Sequence, residues 1–336
     1  MSDIPFLKLS DLQPGQVADC FALLAGRESS KTRDGNPFYR ATFRDATRSV
    51  TAMIWSDSAW FADCHGRWQD GRFYKLRCRY SETNFGPQID LDRIREVEPA
   101  DAAHGFDEAD FFRSTRFAVD DMFAELLEIA AQHIEDIPLR QLTVGLLEEH
   151  ADLVKKIPAA SRNHHAFAGG FLEHVLSVTR TAIYFADKYG EHYPAMQPPL
   201  SKSLVVAGAI LHDIGKLVEL EFRPEGAAYT PPGRLIGHIL LGRDLVRAKA
   251  AAISDLEPET LLRLEHIIVS HQNLPEWGSP VAPHSPEALL VYFADDVDAK
   301  FQMMAQALEV EPGESEEFTG RDNPLRRSIF RGLTES

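Results

Sequence analysis

The pair His212-Asp213 stands at the end of the apolar run 204–211, and Ile214-Gly215-Lys216 follow it. An uninterrupted apolar run of this length predicts a buried helix. Burying an imidazole and a carboxylate at the end of that helix is costly unless a metal ion or another partner compensates. The pair therefore restricts the chain to folds that bring compensating groups to this point.

Four more potential ligands lie in separate segments that also predict helices: His174, His238, His271 and Asp295. Imidazole and carboxylate ligands suit Mn, Fe, Zn and similar divalent ions. Four histidines and two aspartates are too many for one tetrahedral site, so they indicate a pair of ions. Two metal ions close together are the usual device for in-line attack of water on a phosphoester. The set therefore indicates a metal-dependent phosphohydrolase.

Lys216 follows the pair closely enough to share a helix face with His212 and Asp213. From there its ammonium group can neutralise a substrate phosphate. Asp213 and Lys216 are therefore the predicted catalytic residues. A single histidine in a helix is more often structural than a ligand, and with 13 histidines in the chain not all are expected to bind metal.

These motifs resemble the HD-domain superfamily of metal-dependent phosphohydrolases over residues 162–304. Several stretches are more specifically similar to the YhaM-like family of 3′→5′ exoribonucleases, which joins an N-terminal OB-fold to an HD domain. Those stretches are Arg162-Asn163-His164-His165-Ala166-Phe167, Ile210-Leu211-His212-Asp213-Ile214-Gly215-Lys216, Gly237-His238, Ser270-His271, Glu276-Trp277-Gly278-Ser279-Pro280 and Asp298-Ala299-Lys300.

The resemblance implies which residues hold the metal ions, with Asp213 bridging the two. The implied ligands are His174, His212, Asp213, His238, His271 and Asp295. It also implies that Asn163, His164 and His165 contact the substrate phosphate or sugar. Helix capping or surface exposure is the alternative for the two histidines.

One position departs from the family pattern, because Gln272 stands where the family carries a second histidine after the one matching His271. Either the second metal ion is bound less tightly here, or that histidine is not a ligand in the family.

Among the aspartates near residue 295, the family motif selects Asp295 as the ligand. Asp298 lies on the same helix face and either supports a ligand or caps a helix. His266 is expected to be structural.

The first hundred residues predict five short strands, at 17–26, 38–44, 48–55, 72–80 and 88–97, with a short helix near 58–64. Five strands with a helix after the third are typical of an OB-fold barrel. The predicted fold is therefore a multidomain α and β protein, an N-terminal OB-fold β-barrel followed by an all-α HD domain. The expected limits are 1–100 for the OB-fold, 101–160 for a helical linker region, 161–310 for the HD domain and 311–336 for a loosely attached tail.

Alternation along the strands separates the barrel core from an outer face. The predicted core residues are Tyr39, Ala41, Phe43, Val50, Ala52, Ile54, Tyr74, Leu76 and Cys78. The outer face mixes aromatic and basic side chains, as OB-folds do when they stack bases and neutralise a backbone. Its predicted nucleic-acid-binding residues are Phe38, Arg40, Arg44, Trp55, Phe73, Lys75 and Arg77. The alternative is an ordinary polar surface or a protein-docking face.

The net charge of −16 disfavours a general nucleic-acid coat. The first hundred residues have balanced charge, so residues 101–336 carry the whole negative charge. Within the first hundred, the segment 27–79 has an excess of basic residues.

The three cysteines lack C-x-x-C spacing and argue against a disulfide framework. No signal-length apolar segment opens the chain and no run approaches membrane-span length. A cytoplasmic protein without membrane contact is expected.

The sequence thus predicts two divalent ions, Mn above all, with Fe, Co, Ni or Mg as alternatives. The predicted partner is single-stranded RNA or DNA, which no motif distinguishes, and self-association is left open. Two rival hypotheses remain: an HD phosphohydrolase of small nucleotides, which would explain the acidic second part, and a non-catalytic nucleic-acid-binding module.

Overall fold

The computed structural model describes residues 4–112, 114–159, 167–223, 226–309 and 317–333. The chain divides into two compact units. The first consists mainly of Met1–Ser114, and the second of Thr115–Phe222 with Ala227–Ser336.

The first unit is a closed five-stranded barrel. Its strands are β1 (Val17–Lys31), β2 (Pro37–Arg44), β3 (Ser49–Trp55), β4 (Phe73–Thr83) and β5 (Gly86–Glu96), with helix α1 (Phe61–Gly66) between β3 and β4. The strand order is β1-β2-β3-β5-β4, and β3 meets β5 in parallel while the other pairs are antiparallel. This order, with a helix after the third strand, is that of an OB-fold. The predicted fold class is confirmed.

The barrel core follows the predicted alternation. Phe43, Ile54 and Leu76 are among the buried residues that fill it, and Tyr39 packs against them from a partly buried position. A register shift in β1 at Leu24/Gly26 interrupts the ladder with β2, as expected where a strand bends to close a barrel.

Short 3-10 turns follow β5, at Pro99–His104 and Glu108–Phe111. Phe111 is buried there with Phe21 of β1, and Phe73 of β4 packs against them. The region 101–160, expected to be a helical linker, thus begins with 3-10 turns. The chain as far as this turn packs on the barrel, because its phenylalanines cover apolar surface that the strands leave exposed.

In the residues that the structure describes, the second unit is helical apart from short strand segments. Its helices are α2 (Val119–His133), α3 (Ile137–Glu149), α4 (Ala151–Val154), α5 (Gly170–His192), α6 (Lys202–Leu211), α7 (Lys216–Glu219), α8 (Pro231–Leu235), α9 (His238–Ala250), α10 (Pro258–Ser270) and α11 (Pro286–Glu309). The short strands β6 (Leu220–Arg223) and β7 (Gly226–Tyr229) pair in a two-stranded sheet. His150 separates α3 from α4 with non-helical backbone angles.

Helix α6 lies at the centre of this unit. Every residue from Leu204 to Leu211 is buried, as the apolar run predicts, because α2, α3, α5, α10 and α11 all pack against it. Ser201 caps its start by accepting a hydrogen bond from Leu204 N. The central helix therefore delivers His212 and Asp213 into the interior. No helix in the described part of the chain is long and apolar enough to cross a membrane.

Candidate metal centre

The predicted ligands come from five helices of the second unit. His174 lies in α5, His212 and Asp213 follow α6, and His238 begins α9. His271 caps the end of α10, and Asp295 lies in α11. The side chains of His174, His212 and His271 are fully buried. All six predicted ligands converge at one place in the interior.

The carboxylate of Asp213 faces a different group of side chains with each oxygen. Oδ2 lies 3.6 Å from His174 Nε2 and 3.4 Å from His212 Nε2. Oδ1 lies 3.3 Å from His238 Nε2 and 3.5 Å from His271 Nε2. Asp295 Oδ1 belongs with the first group, 3.2 Å from His174 Nε2. Asp213 therefore stands between two sets of potential ligands.

The second ring nitrogen of each histidine is held by an acceptor. His212 Nδ1 donates to Ala209 O at 2.8 Å, and His271 Nδ1 donates to Ile268 O at 2.7 Å. His174 Nδ1 donates to Asp298 Oδ2 at 2.7 Å, and His238 Nδ1 lies 3.1 Å from Glu219 Oε1. Such partners fix the ring orientation and leave Nε2 to bind a metal.

Asp298 and Glu219 are therefore supporting residues. The sequence leaves Asp298 between ligand support and helix capping, and the structure shows its carboxylate bonded to His174 and to the Ser177 hydroxyl. Glu219 has no signal in the sequence, since its role depends on α7 placing it beside the backbone N–H of His238, which donates to it at 2.9 Å.

Two buried polar atoms of this cluster have no hydrogen-bond partner among the described residues: Asp213 Oδ1 and His271 Nε2. Nε2 of His174 and Nε2 of His212 also lie only 3.3 Å apart. Buried unpaired acceptors and facing imidazole nitrogens are costly without a cation between them. The donor set thus fits divalent metal ions. His174, His212 and Asp295 form one group that can hold an ion. A second group consists of His212, Asp213 and His271, so His212 belongs to both.

The electrostatics of the cluster favour bound positive charge. Burial opposes charge on His174, but hydrogen bonds to Asp213, Asp295 and Asp298 hold its pKa well above the ordinary value. Burial likewise opposes ionisation of Asp213, yet Lys216 and His212 hold its pKa well below the ordinary range. The pKa of Asp295 is lowered as well, by its hydrogen bond to His174 against the effect of burial. Ionised carboxylates that favour a proton on His174 also favour a divalent cation.

Lys216 is buried and its Nζ lies 2.5 Å from Asp213 Oδ2. The predicted catalytic pair is thus in direct contact. Gly215, between them in sequence, has an ordinary helical φ of −66°. It is required for another reason, because a Cβ there would lie 1.9 Å from His238 O and 2.4 Å from Gly242 N. The missing side chain lets α9 carry His238 up to Asp213.

Gln272 lies beside His238, one of the two histidines that face Asp213 Oδ1. Its Nε2 is 3.4 Å from His238 Nε2, so the amide side chain occupies a position next to the cluster. His266 lies on the same helix as His271, but its Nε2 accepts a hydrogen bond from His284 N at 2.8 Å. It takes no part in the cluster.

A cavity of about 740 Å³ opens above the cluster. Asp213, His238, His271 and Asp295 form part of its wall, together with residues that the sequence does not single out as site residues: Glu219, Tyr229, Trp277, Tyr292, Lys300 and Arg327. The Glu276–Pro280 stretch carries the family resemblance and places Trp277 here, whereas Arg327 belongs to the segment 311–336, expected to be a tail. The predicted contacts Asn163, His164 and His165 lie outside the described residues.

The predicted nucleic-acid-binding residues of the barrel fall into two groups. Phe38 and Trp55 are cross-strand partners with ring centroids 5.1 Å apart, and Arg40 follows on the same face of β2. Trp55 is 45% exposed. The guanidinium of Arg44, at the other end of β2, lies 5.9 Å from the ring of Phe112. These four residues lie on β2 and β3.

The other three predicted residues, on β4, make contacts within the barrel unit. Arg77 forms a two-bond ion pair with Asp19, both bonds 2.7 Å long. Lys75 Nζ lies 3.3 Å from Asp101 Oδ1, and Phe73 packs in the phenylalanine cluster. Strand β1 lies between β4 and β2. The structure therefore does not gather the seven residues into one patch.

A family model described as the HD domain matches residues 171–300. The 3′-5′ exoribonuclease YhaM of Halalkalibacterium halodurans is 30% identical over 321 residues, which cover 95% of this chain and 94% of that protein.

Two solved structures from Methanococcus maripaludis resemble part of the chain. A crystal structure of a replication protein A domain is 18% identical, covers 28% of this chain and 96% of its own, and has a TM-score of 0.23. A solution structure of the second OB-fold domain of replication protein A is 19% identical, covers 28% and 95%, and has a TM-score of 0.22. The barrel assignment rests on strand order, not on these scores. The nearly full-length match and the HD motif together show that this chain belongs to the YhaM family of HD-domain proteins.

Proposed function

We propose that this protein is a metal-dependent 3′→5′ exonuclease that hydrolyses the phosphodiester bonds of single-stranded RNA. The observation that carries the proposal is the carboxylate of Asp213, whose two oxygens face separate groups of buried ligands. The name of the Halalkalibacterium halodurans relative, a 3′-5′ exoribonuclease, supports the substrate and the direction.

Two divalent ions fit this arrangement, and Mn²⁺ is the ion we propose. His174, His212 and Asp295 would hold one with Oδ2 of Asp213, and His238 and His271 would hold the other with Oδ1. When bound, such a pair activates water and stabilises the charge that develops on the phosphoryl oxygens. Nitrogen and oxygen ligands of this kind suit several first-row ions, so availability contributes to the choice.

The residues around the ligands position the reacting groups. Lys216 lies against Asp213 at the bottom of the cavity and is placed to neutralise a non-bridging phosphate oxygen. Asp298 and Glu219 hold His174 and His238 in fixed orientations. Ligands that are held in place before the substrate binds need little reorganisation during the reaction, and this preorganisation lowers the activation barrier of hydrolysis.

The barrel is proposed to hold the body of the strand. The half-buried Phe38 and the exposed Trp55 form an aromatic pair on which bases can stack, and Arg40 lies beside them. Arg40 is exposed, with its guanidinium 4.0 Å from Glu28, so it can exchange that weak pair for a phosphate. Stacking on aromatic side chains tolerates any base, as an exonuclease that removes successive nucleotides requires.

The test is hydrolysis of a 5′-labelled single-stranded RNA by metal-stripped protein to which Mn²⁺ is added back. We expect a ladder of labelled products that shorten from the 3′ end, requiring both Mn²⁺ and Asp213. The Asp213→Ala variant should lose this activity, whereas Asp187→Ala should keep it, because Asp187 is an exposed aspartate paired with Lys202. A DNA strand of the same sequence tests the sugar preference.

Three outcomes would contradict the proposal. Immediate release of a labelled mononucleotide would show the opposite polarity, and internal fragments would show an endonuclease. Intact RNA, in a preparation that hydrolyses free nucleotides, would show a small-nucleotide phosphohydrolase instead.

A further inference from the structure

The C-terminal part of the helical unit, residues 317–333, folds back on itself. Thr319 N donates to Ile329 O at 2.9 Å and Arg331 N donates to Glu317 O at 2.7 Å. The rings of Phe318 and Phe330 lie 5.3 Å apart. Thr319 and Ile329 are both buried. These contacts close a loop between 319 and 329, which we call the C-terminal loop.

The C-terminal loop is attached to the end of α11. The Arg331 guanidinium donates to Leu308 O at 3.1 Å. Inside the loop, Asn323 Nδ2 donates to Gly320 O and to Arg327 O, both at 2.8 Å. The tip of the loop is therefore stabilised by the hydrogen bonds of the Asn323 side chain, in addition to the backbone bonds that close its ends.

This tip forms one wall of the cavity above the metal cluster. Pro324, Leu325 and Arg327 line the cavity that Asp213 and His271 also line. A segment distant in sequence from every predicted ligand thus contributes directly to the candidate active site.

Three basic side chains other than histidine line this cavity: Lys216, Lys300 and Arg327. Lys216 pairs with Asp213 at 2.5 Å, and Lys300 pairs with Asp296 at 2.7 Å. Arg327 forms no ion pair with any residue that the structure describes, and its Nε reaches only Leu325 O, at 3.5 Å. Of the three, Arg327 is thus the one without an acidic partner among the described residues, and its guanidinium is available for an anionic ligand.

We infer that Arg327 binds a backbone phosphate of the RNA strand whose end lies in the cavity. The inference rests on the proposed function and deepens it by assigning a substrate-binding residue. A guanidinium matches the geometry of a phosphate with two parallel hydrogen bonds. An unpaired arginine also offsets the acidic wall, where Asp213, Asp295, Asp296 and Glu219 would repel a polyanion.

The experiment compares Arg327→Ala with Arg326→Ala in steady-state cleavage of single-stranded RNA. Arg326 is the matched control, because it carries the same charge in the same loop but does not line the cavity. We expect Arg327→Ala to raise KM about 10-fold, the effect of losing a hydrogen-bonded charge. We expect Arg326→Ala to leave KM within about twofold, as for a surface change.

Two further readouts separate phosphate binding from a structural role. The slope of log KM against log salt should fall by about 0.7 in Arg327→Ala, the value for one phosphate contact with a single strand. Arg327→Lys should recover part of the lost affinity, because it keeps the charge but not the paired hydrogen bonds. Thermal unfolding of each variant checks that the loop change leaves the fold intact.

The inference is overturned if Arg327→Ala and Arg326→Ala share the same KM and salt slope. It is also overturned if KM rises with no change in salt slope and no recovery in Arg327→Lys. Failure of the wild-type protein to cleave RNA would instead contradict the proposed function itself. That failure is seen in the wild-type assay alone, before any variant is compared.

Discussion

Substitution of Gly215 by alanine tests whether the close approach of α7 and α9 builds the metal centre. The added Cβ would lie 1.9 Å from His238 O and 2.4 Å from Gly242 N, so the backbone of α9 must move. Overpacking in a well-packed interior costs about 1–3 kcal/mol. For a unit of this size that corresponds to a decrease in Tm of roughly 2–12 °C. Because the nearest atom belongs to His238, we also expect the variant to bind metal more weakly.

Gly190→Ala is the matched control, since it makes the same chemical change in a helix of the same unit. A Cβ at Gly190 meets no described atom within 4 Å. Alanine in a helix is favoured over glycine by up to about 1 kcal/mol, so this variant should be at least as stable as the wild type. The assay is calorimetric unfolding of both variants, with metal content measured on the same samples. A Gly215→Ala protein with wild-type Tm and metal content would refute the argument.

Three more predictions concern a supporting residue, acid stability and the barrel surface. Asp298→Asn should weaken metal binding by about 10–100-fold through loss of support for His174, and titration of stripped protein with Mn²⁺ measures it; unchanged affinity would remove Asp298 from this role. The pKa of Asp101 is held below its ordinary range, chiefly by its hydrogen bond to Arg95, so its stabilising effect is present above about pH 4, the unfolded value, and is lost as pH falls toward the folded value. Urea unfolding should therefore show Asp101→Asn less stable than the wild type at pH 7 and closer to it at pH 3, and an equal gap at both would contradict this. Trp55→Ala should weaken RNA binding by about 5–150-fold, from the stacking energy of one base, without lowering Tm, and normal binding would exclude Trp55 from the interface.

The sequence alone determined the elements and the chemical composition of the site. The apolar run 204–211 predicts a buried helix, and α6 is buried along that run. Alternation along the strands separates the core of the barrel from its surface, because successive side chains point to opposite faces. The pair His212-Asp213 stood out because a buried imidazole and a buried carboxylate need a compensating charge, and the resemblance to the HD-domain family implied the full set of six ligands.

Helix boundaries were less predictable. Within residues 139–157 the one glycine, Gly145, lies inside α3, and no glycine or proline between it and Pro158 marks an end to the helix, yet α3 stops at Glu149 and α4 begins at Ala151. No local signal marks that break.

Only the tertiary structure decided which surface and supporting side chains are available and what they contact. Lys75 and Arg77 look equivalent to Arg40 in the strand pattern, but Asp101 and Asp19 pair with them from 26 and 58 residues away.

The same holds for the residues around the metal centre. Asp298 supports His174 across 124 residues, and Arg327 reaches the cavity through a loop with no motif. Periodicity depends on neighbours within one element, whereas the partner of a charged side chain depends on which distant elements pack beside it. The sequence therefore determined the strands of the barrel, the buried central helix and the chemistry of the site, and the packing of distant segments decided the partners of its side chains.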